Sequence, residues 1–202
     1  MAARDGLVQS AIDLVRRYGV AGTGVTRLLD HSGISRRTVY LNFPGGKSEL
    51  IAEATRVAGC AMTGVIETFG RRSDPEATIA SFTEAWKKVV ESSDFLAGCP
   101  IVAAALGRSE APEAADAAGA AFDDWEQALA ARLRAEQVAP ETALSLATTV
   151  IAAIEGAVVM SLAQRSTEPL DRTGRHLAEL IRAHVPSQRS VTEPERPLSA
   201  PA

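Results

Sequence analysis

Apolar residues recur every three or four positions along most of this 202-residue chain, and this spacing constrains the fold more than any other feature. Such a period places the apolar residues on one face of an α-helix, whereas a strand needs an alternating pattern. Aromatic residues make up only 4% of the chain, and its β-branched runs are short. We therefore expect helices packed on helices, and no segment convincingly predicts a strand.

Glycine and proline residues divide this pattern into separate helices. Gly19 is expected to end the first helix, and Gly33 to close a short second helix that begins near Val25. Ser35 is a candidate N-cap for a third short helix that runs to about Leu41. Four longer breaks, each with a proline, lie at 44–46, 71–76, 95–100 and 137–141.

Charge is distributed unevenly between the two ends of the chain. The first 50 residues carry seven Lys/Arg against four Asp/Glu, whereas the remaining 152 carry 14 against 21. The net charge of −4 therefore combines a basic amino-terminal segment with an acidic remainder. We expect residues 1–46 and 47–185 to form two domains, and the proline-rich residues 186–202 to be a disordered tail.

Neither a membrane protein nor an enzyme is expected. The apolar stretch 143–163 has the length of a membrane span, but Glu155 and several Ser, Thr and Gly residues interrupt it. Cys60 and Cys99 follow no secretory leader, which favours a reduced cytoplasmic compartment. The three histidines show no metal-ligand spacing, and the chain has no dinucleotide fingerprint or nucleophile elbow. The sequence thus predicts no catalytic residue, metal or cofactor.

The segment 35–48, SRRTVYLNFPGGKS, combines cations with glycines and so indicates contact with phosphate. Its ending, GKS, is similar to that of a nucleotide-binding P-loop, but Leu41 stands where such a loop needs its first glycine. A helix-turn-helix explains more of the segment, because two short helices around Gly33 would place the second one in the major groove of DNA. The alternative is a solvated helix without a ligand, which leaves the cluster of outward cations unexplained.

On this interpretation the outward residues of the third helix contact DNA. Ile34 and Val39 are spaced to face the second helix, which leaves the polar side chains outside. Arginine can pair with two acceptors of guanine, and the methyl group of threonine suits that of thymine. Tyrosine, asparagine and a lysine at the start of the next helix are natural phosphate anchors. The candidate DNA-binding residues are Arg36, Arg37, Thr38, Tyr40, Asn42 and Lys47.

The segment 7–50 resembles the DNA-binding part of the TetR family of bacterial transcriptional regulators. The resemblance rests on YGVAGTGVT followed by LLDHSGISRRTVYLNFPGGKSEL. It implies an all-α fold with an N-terminal three-helix DNA-binding domain, a connecting fourth helix, and a helical ligand-binding and dimerisation domain. It also implies that the first three candidate residues face bases or nearby phosphates, and that the last three hold the DNA backbone.

Two departures from the common family pattern are visible. Gly24 replaces the usual Ser/Thr cap of the second helix, and FPGGK is one residue longer than the common Phe-x-x-Lys spacing. The longer turn, together with AGCPIVAAAL near residues 98–106, resembles the LmrA/YxaF branch of the family. That branch implies a repressor of exporter or aromatic-degrading enzyme genes, released by flat aromatic molecules such as flavonoids.

The carboxy-terminal helices are expected to form a homodimer. A single DNA-binding unit contacts too few phosphates for strong binding in moderate salt, so two units on an inverted-repeat operator are expected. The helices near 141–164 and 170–185 are the predicted interface, which the family resemblance supports. Packing inside one subunit is the alternative, and both can hold at once. The small residues that would permit close approach of two helices are Ala147, Ala152, Ala153, Gly156 and Ala157.

Large side chains of the middle helices are candidates for an effector pocket. They include both tryptophans and three of the five phenylalanines, on which an aromatic ligand could stack. Ordinary core packing is the alternative for each of them. Glu155 could meet a cationic or hydroxylated ligand, but we expect it at the dimer interface. The candidate ligand-binding residues are Phe82, Trp86, Phe122, Trp125 and Met160, with Met62 and Phe95 as further members of the set.

Two alternative functions are considered. A thiol-based redox sensor would use Cys99, which Gly98 and Pro100 flank, although no basic residue is adjacent in sequence to activate the thiol. A helical binding protein without a DNA function is the other alternative. Such a protein would not need outward arginines in a helix-turn-helix.

Overall fold

The computed structural model describes residues 2–72 and 75–185, and every regular element in these two ranges is a helix. The helices follow one another as the sequence predicts, which confirms an all-α fold. The predicted disordered tail, 186–202, lies outside the described residues. In chain order the helices are α1 Ala2–Gly22, α2 Val25–Ser32, α3 Arg36–Asn42, α4 Gly46–Arg72, α5 Pro75–Ser92, α6 Pro100–Leu106, α7 Pro112–Ala135, α8 Pro140–Gln164 and α9 Glu168–His184.

Helices α1–α3 and the first turns of α4 form a unit, here called the head, around their own apolar core. Gly19 has a φ of 68° and a ψ of 178°, so the regular helix is interrupted there, as predicted, and a further helical turn follows up to Gly22. Gly33, with a φ of 67°, ends α2 and donates its N–H to the Leu29 carbonyl, as a left-handed C-cap does. The core of the head consists of Leu7, Val8, Ala11, Leu14, Leu28, Val39, Phe43, Leu50 and Ala54.

A second, larger apolar core joins the rest of α4 and α5–α9, here called the body, to the end of α1. Helix α4 packs along α7, and α8 packs against both α7 and α9. Gly59 permits the close approach of α4 and α7, since a Cβ there would lie 2.7 Å from the Cβ of Ala121. Helix α4 contributes Leu50 to the core of the head and Ile51 to that of the body. It therefore connects the two units.

Helix α8 is the only helix in the described ranges that is long and apolar enough to cross a membrane, with a mean hydropathy of 1.9. The core helix of a globular protein has the same length and composition. Ala147, Ile154 and Val158 are buried against neighbouring helices, which places α8 in the core of the body. Leu144 and Val159 lie on its other, exposed face.

Candidate nucleic-acid interface and effector cavity

Helix α3 turns its polar face to solvent because its start and its inner face are fixed locally. The Oγ of Ser35 accepts a hydrogen bond from the N–H of Thr38 at 3.2 Å, which caps the helix as predicted. Val39 is buried in the core of the head, and Phe43 is fully buried just after the helix ends. The opposite face of α3 must therefore point away from the protein.

Arg36 and Arg37 are exposed on this outward face. Neither guanidinium has a hydrogen-bond or ion-pair partner within residues 2–72 and 75–185. Tyr40 is also exposed and lies next to the turn at Gly46, where a Cβ would be 3.3 Å from its ring. Leu41 follows it with 70% of its surface exposed. Two unpaired cations beside an exposed ring and an apolar side chain suit the edges of bases and the phosphates around them.

Two other arginines of the basic segment stabilise the head itself. Arg4 pairs with Glu53 at 2.7 Å and lies over the ring of Phe43, with 5.1 Å to the ring centroid. Its hydrogen bond holds the pKa of the Glu53 carboxyl below the ordinary value. Arg27 lies 4.2 Å from the ring centroid of Tyr18 and donates to a backbone carbonyl at the end of α1. Counting charges along the sequence could not separate these arginines from the pair on α3.

The other three candidate DNA contacts make hydrogen bonds near the same face. The hydroxyls of Thr38 and Ser35 lie 2.9 Å apart, and the amide of Asn42 donates to the Thr38 carbonyl at 2.8 Å. The ammonium of Lys47 donates to the Val20 carbonyl at 2.8 Å, which ties the start of α4 to the end of α1. An ammonium has two further N–H donors, so this bond leaves Lys47 able to meet a phosphate. Its role in DNA binding stays a prediction.

The body contains a small cavity of about 40 Å³ between α4, α5, α7 and α8. Phe82 and Trp125 supply its aromatic surfaces, and the indole N–H of Trp125 is held by the Gly59 carbonyl at 3.1 Å. Besides the indole of Trp125, the polar side chains in its described lining are those of Thr78 and Glu155. The remaining lining residues are Ile66, Ile79, Leu129, Ile151 and Ile154.

Phe82 also lines a wider cleft of about 280 Å³, so this ring stands between the two spaces. Met62, Trp86 and Arg16 lie on the walls of the cleft. Trp86 is 5% exposed, and its indole N–H has no acceptor in the described part of the chain. A small aromatic molecule needs more room than the cavity alone offers.

Comparison with known proteins decides the class of this chain. Residues 75–176 match the domain family described as "Transcriptional regulator LmrA/YxaF-like, C-terminal domain". An uncharacterized HTH-type transcriptional regulator of Mycobacterium tuberculosis is 34% identical over 193 residues, which cover 92% of this chain and 97% of the relative. The chain belongs to the TetR family. It is a transcriptional regulator and not an enzyme.

Further relatives and solved structures agree with membership of the TetR family. The HTH-type transcriptional regulator LmrA of Bacillus subtilis is 24% identical, and the match covers 89% of this chain and 97% of the relative. A TetR regulatory protein from Rhodobacter sphaeroides superposes with a TM-score of 0.80 at 16% identity, over 89% of this chain and 98% of the other. At that identity the superposition supports the fold alone.

The structure separates the predicted effector residues of this TetR-family protein into four groups. Phe82 and Trp125 line the cavity, and Trp86 lines the cleft. Phe122 lines neither space but packs edge-on against Trp125, with 5.2 Å between the ring centroids. Met160 is 51% exposed and lines neither space, so its role in effector binding stays a prediction. It lies on the face of α8 that points away from the core.

Glu155 lies in the cavity, contrary to the expectation that it sits at the dimer interface. Ile151 and Ile154 line the same cavity, and Glu155 lies at the border between the buried and the exposed side of α8, from which its carboxyl reaches the cavity. One oxygen of the Glu155 carboxyl is buried without a partner in the described residues, and the thiol of Cys99 hydrogen-bonds to the side chain. Burial raises the pKa of Glu155 to about 7.

The two cysteines give little support to a redox sensor. Cys99 is buried, and burial together with the nearby Glu155 raises the pKa of its thiol well above the ordinary value. A neutral, inaccessible thiol reacts slowly with oxidants. Cys60 is exposed on α4, in a different cleft. Within the described ranges, no group of three or more His, Cys, Asp or Glu side chains is placed to hold a metal ion.

A pair of reciprocal hydrogen bonds ties α1 of the head to the loop before α6. The Nε of Arg16 donates to the Gly98 carbonyl at 3.2 Å, and the Gly98 N–H donates to the Arg16 carbonyl at 3.0 Å. Cys99 follows Gly98 directly and bonds to Glu155 in the cavity. Adjacent residues of one loop therefore contact both the head and the effector cavity.

Proposed function

We propose that this TetR-family regulator is a homodimeric repressor that leaves its operator when a small aromatic or apolar effector enters the body. The observation that carries the proposal is the pair Arg36 and Arg37, exposed and without partners in the described chain on a helix that its cap and core hold in place. A regulator of this kind acts in the cytoplasm on chromosomal DNA.

Helix α3 is proposed to enter the major groove. There Arg36 and Arg37 would pair with guanine edges or adjacent phosphates, and Thr38 would present its methyl group to thymine. Tyr40, Asn42 and Lys47 would hold the phosphates on either side and so fix the register of the helix. Local hydrogen bonds already orient Thr38 and Asn42, which lowers the entropy cost of placing them against DNA.

The exposed face of α8 supports a dimer through α8 and α9. Two of the small residues in the predicted interface, Ala152 and Gly156, lie on this face together with Leu144, Val159 and Met160. An exposed stripe of small and apolar residues permits two copies of the helix to approach closely. Ala147 and Ala157 are buried in their own subunit instead. The helix thus serves both the core and the proposed interface, as the sequence allows.

The effector is proposed to act by changing how the head sits on the body. Helix α4 belongs to both cores, and the Arg16–Gly98 bonds form a second connection. A ligand that rotates Phe82 and displaces Trp125 would move α4 through its bond at Gly59. Lowering the DNA-competent form from nearly all molecules to about one percent requires a differential affinity of about 5.5 kcal/mol.

Operator binding by an arginine-deficient variant tests the proposal. Arg36→Ala/Arg37→Ala should lose sequence-specific binding to the inverted repeat in its own promoter region, with a loss of roughly 100-fold or more in affinity. Binding is measured by fluorescence anisotropy of labelled duplex, and folding by circular dichroism and thermal melting. The melting temperature should stay close to that of the wild type, because neither side chain has a partner in the described chain.

Arg134→Ala is the matched control for lost positive charge. Arg134 is exposed on α7 of the body and makes no ion pair within the described residues. We expect this variant to bind the operator as the wild type does. A double variant of α3 that still binds specifically would contradict the proposed interface.

A further inference from the structure

We propose that Glu155 makes the effector cavity selective for ligands that carry a positively charged nitrogen on or beside an aromatic ring. The proposal deepens the proposed function, since it depends on an effector occupying this cavity. It names the chemical class of the ligand and the residue that selects it.

The carboxyl of Glu155 lacks the partners that a buried acid normally has. One of its oxygens has no hydrogen bond in the described chain, and the side chain is bonded to the thiol of Cys99, which is a weak donor. None of the described residues that line the cavity is positively charged. A buried carboxylate without a cation is costly, so a cationic ligand would gain the attraction that the protein itself does not supply.

The aromatic walls favour the same class of ligand. Phe82 and Trp125 share the cavity with Glu155, and an aromatic face attracts a cation placed over it. Trp125 is held in position by the Gly59 carbonyl on one side and by the ring of Phe122 on the other. A carboxylate combined with two aromatic surfaces is a suitable environment for an organic cation.

The wider cleft adds volume for the ligand and determines its orientation. The cavity alone, at about 40 Å³, is too small for a bicyclic molecule, whereas the cleft beyond Phe82 adds about 280 Å³. The walls of the cleft include Arg16, whereas Glu155 lines the cavity. Repulsion by Arg16 and attraction by Glu155 would therefore place the positive end of the ligand in the cavity.

A matched pair of probes tests this assignment on the full-length protein. N-methylquinolinium carries a fixed positive charge, and 1-methylnaphthalene is a neutral molecule of nearly the same shape. At about pH 8.5 Glu155 is ionised, since that lies above its pKa of about 7. Equilibrium dialysis should show that the wild type binds the cation at least about ten-fold more tightly than the neutral probe. This comparison needs no variant and so does not depend on how a substitution folds.

Glu155→Gln should remove the preference by weakening the cation about ten-fold or more, while the affinity for the neutral probe changes little. Glu141→Gln is the control, because Glu141 lies exposed on the first turn of the same helix and should leave the preference unchanged. Equal binding of the two probes by the wild type, binding of neither, or a preference that survives Glu155→Gln would each overturn the assignment.

Operator binding without ligand, measured on the same preparations, separates this inference from the proposed function. Suppose that the protein binds the operator through Arg36 and Arg37, but that the neutral probe releases the operator as well as the cation does. The proposed selectivity for charge is then wrong, whereas the proposal of an aromatic effector is supported. If the operator is not bound at all, the proposed function itself fails.

Discussion

The arginines of the head differ in whether they bond within the protein or extend into solvent. Arg4 and Arg27 stack on aromatic rings and bond within the protein, whereas Arg36 and Arg37 extend from α3 without partners in the described residues. Ser35 makes this possible, because its hydroxyl caps α3 and fixes the direction of the helix before DNA is met. In the proposed function, Arg36 and Arg37 would therefore contact bases without first breaking a bond within the described part of the protein.

Glu155 should make the stability of the protein depend on pH. Its pKa is 4.5 for the ordinary group and about 7 when folded, so the native state binds the proton more tightly than the unfolded state. The contribution of Glu155 to the free energy of unfolding is then fully present below pH 4.5 and is lost as the pH rises toward 7. Cys99, the titratable group bonded to Glu155, stays neutral in this window because its own pKa is raised.

Glu155→Gln should therefore raise the free energy of unfolding more at pH 8 than at pH 5, by roughly 1–3 kcal/mol. Urea denaturation at the two pH values measures the difference, with Glu141→Gln as the control for loss of an exposed acid on α8. A substitution effect that is identical at both pH values would show that the carboxyl of Glu155 is well solvated in the native protein.

At the level of helices, the contact between α4 and α7 depends on a glycine. A Cβ at Gly59 would lie 2.7 Å from the Cβ of Ala121, closer than two such atoms can pack. Gly64 lies on the same helix, and a Cβ there would meet nothing within 4 Å. The two positions therefore separate helix propensity from packing.

Gly64→Ala should stabilise the protein by up to about 1 kcal/mol, because alanine favours a helix over glycine. Gly59→Ala gains the same propensity but forces α4 away from α7, and we expect a net loss of about 1–2 kcal/mol. Urea unfolding of both variants measures the contrast. Equal effects of the two substitutions would mean that α4 and α7 do not approach as closely as described.

The sequence predicts the helices of the head well because local chemistry decides where they end. Gly33 and Ser35 act through their own backbone and side chain, so their positions alone mark the boundaries of α2 and α3. Gly19 shows the limit of this reasoning. It interrupts the regular helix, as predicted, but a further helical turn follows up to Gly22, with Val20 buried in the body core, and no local pattern indicates this turn.

The effector cavity was less predictable, because it depends on which helix faces which. Residue type alone points to an aromatic set that includes Phe82, Trp86 and Trp125, and these three line the two spaces. Residue type cannot show that Met160 is exposed on α8 or that the carboxyl of Glu155 reaches the cavity. In a helix as uniformly apolar as α8, the spacing of the apolar residues does not identify the buried face. That face is decided by how the neighbouring helices pack against α8.

For the whole molecule, the proposed function requires two heads held at the spacing of successive major grooves. One α3 helix per subunit would read one half-site, and the proposed α8–α9 interface would set the distance between the two. The effector would then need only to change that distance or the relative rotation of the heads. Helix α4 and the Arg16–Gly98 bonds are the connections in each subunit through which such a change would pass.

The most direct measurement compares the affinity of the purified protein for three duplexes at low ionic strength. They are the inverted repeat from its own promoter region, the same repeat with about five base pairs inserted between the half-sites, and a scrambled duplex. The insertion turns one half-site to the opposite side of the helix. We predict tight binding to the native repeat alone, with the other two bound alike and weakly. Equal affinity for all three would contradict the claim that paired α3 helices recognise the operator.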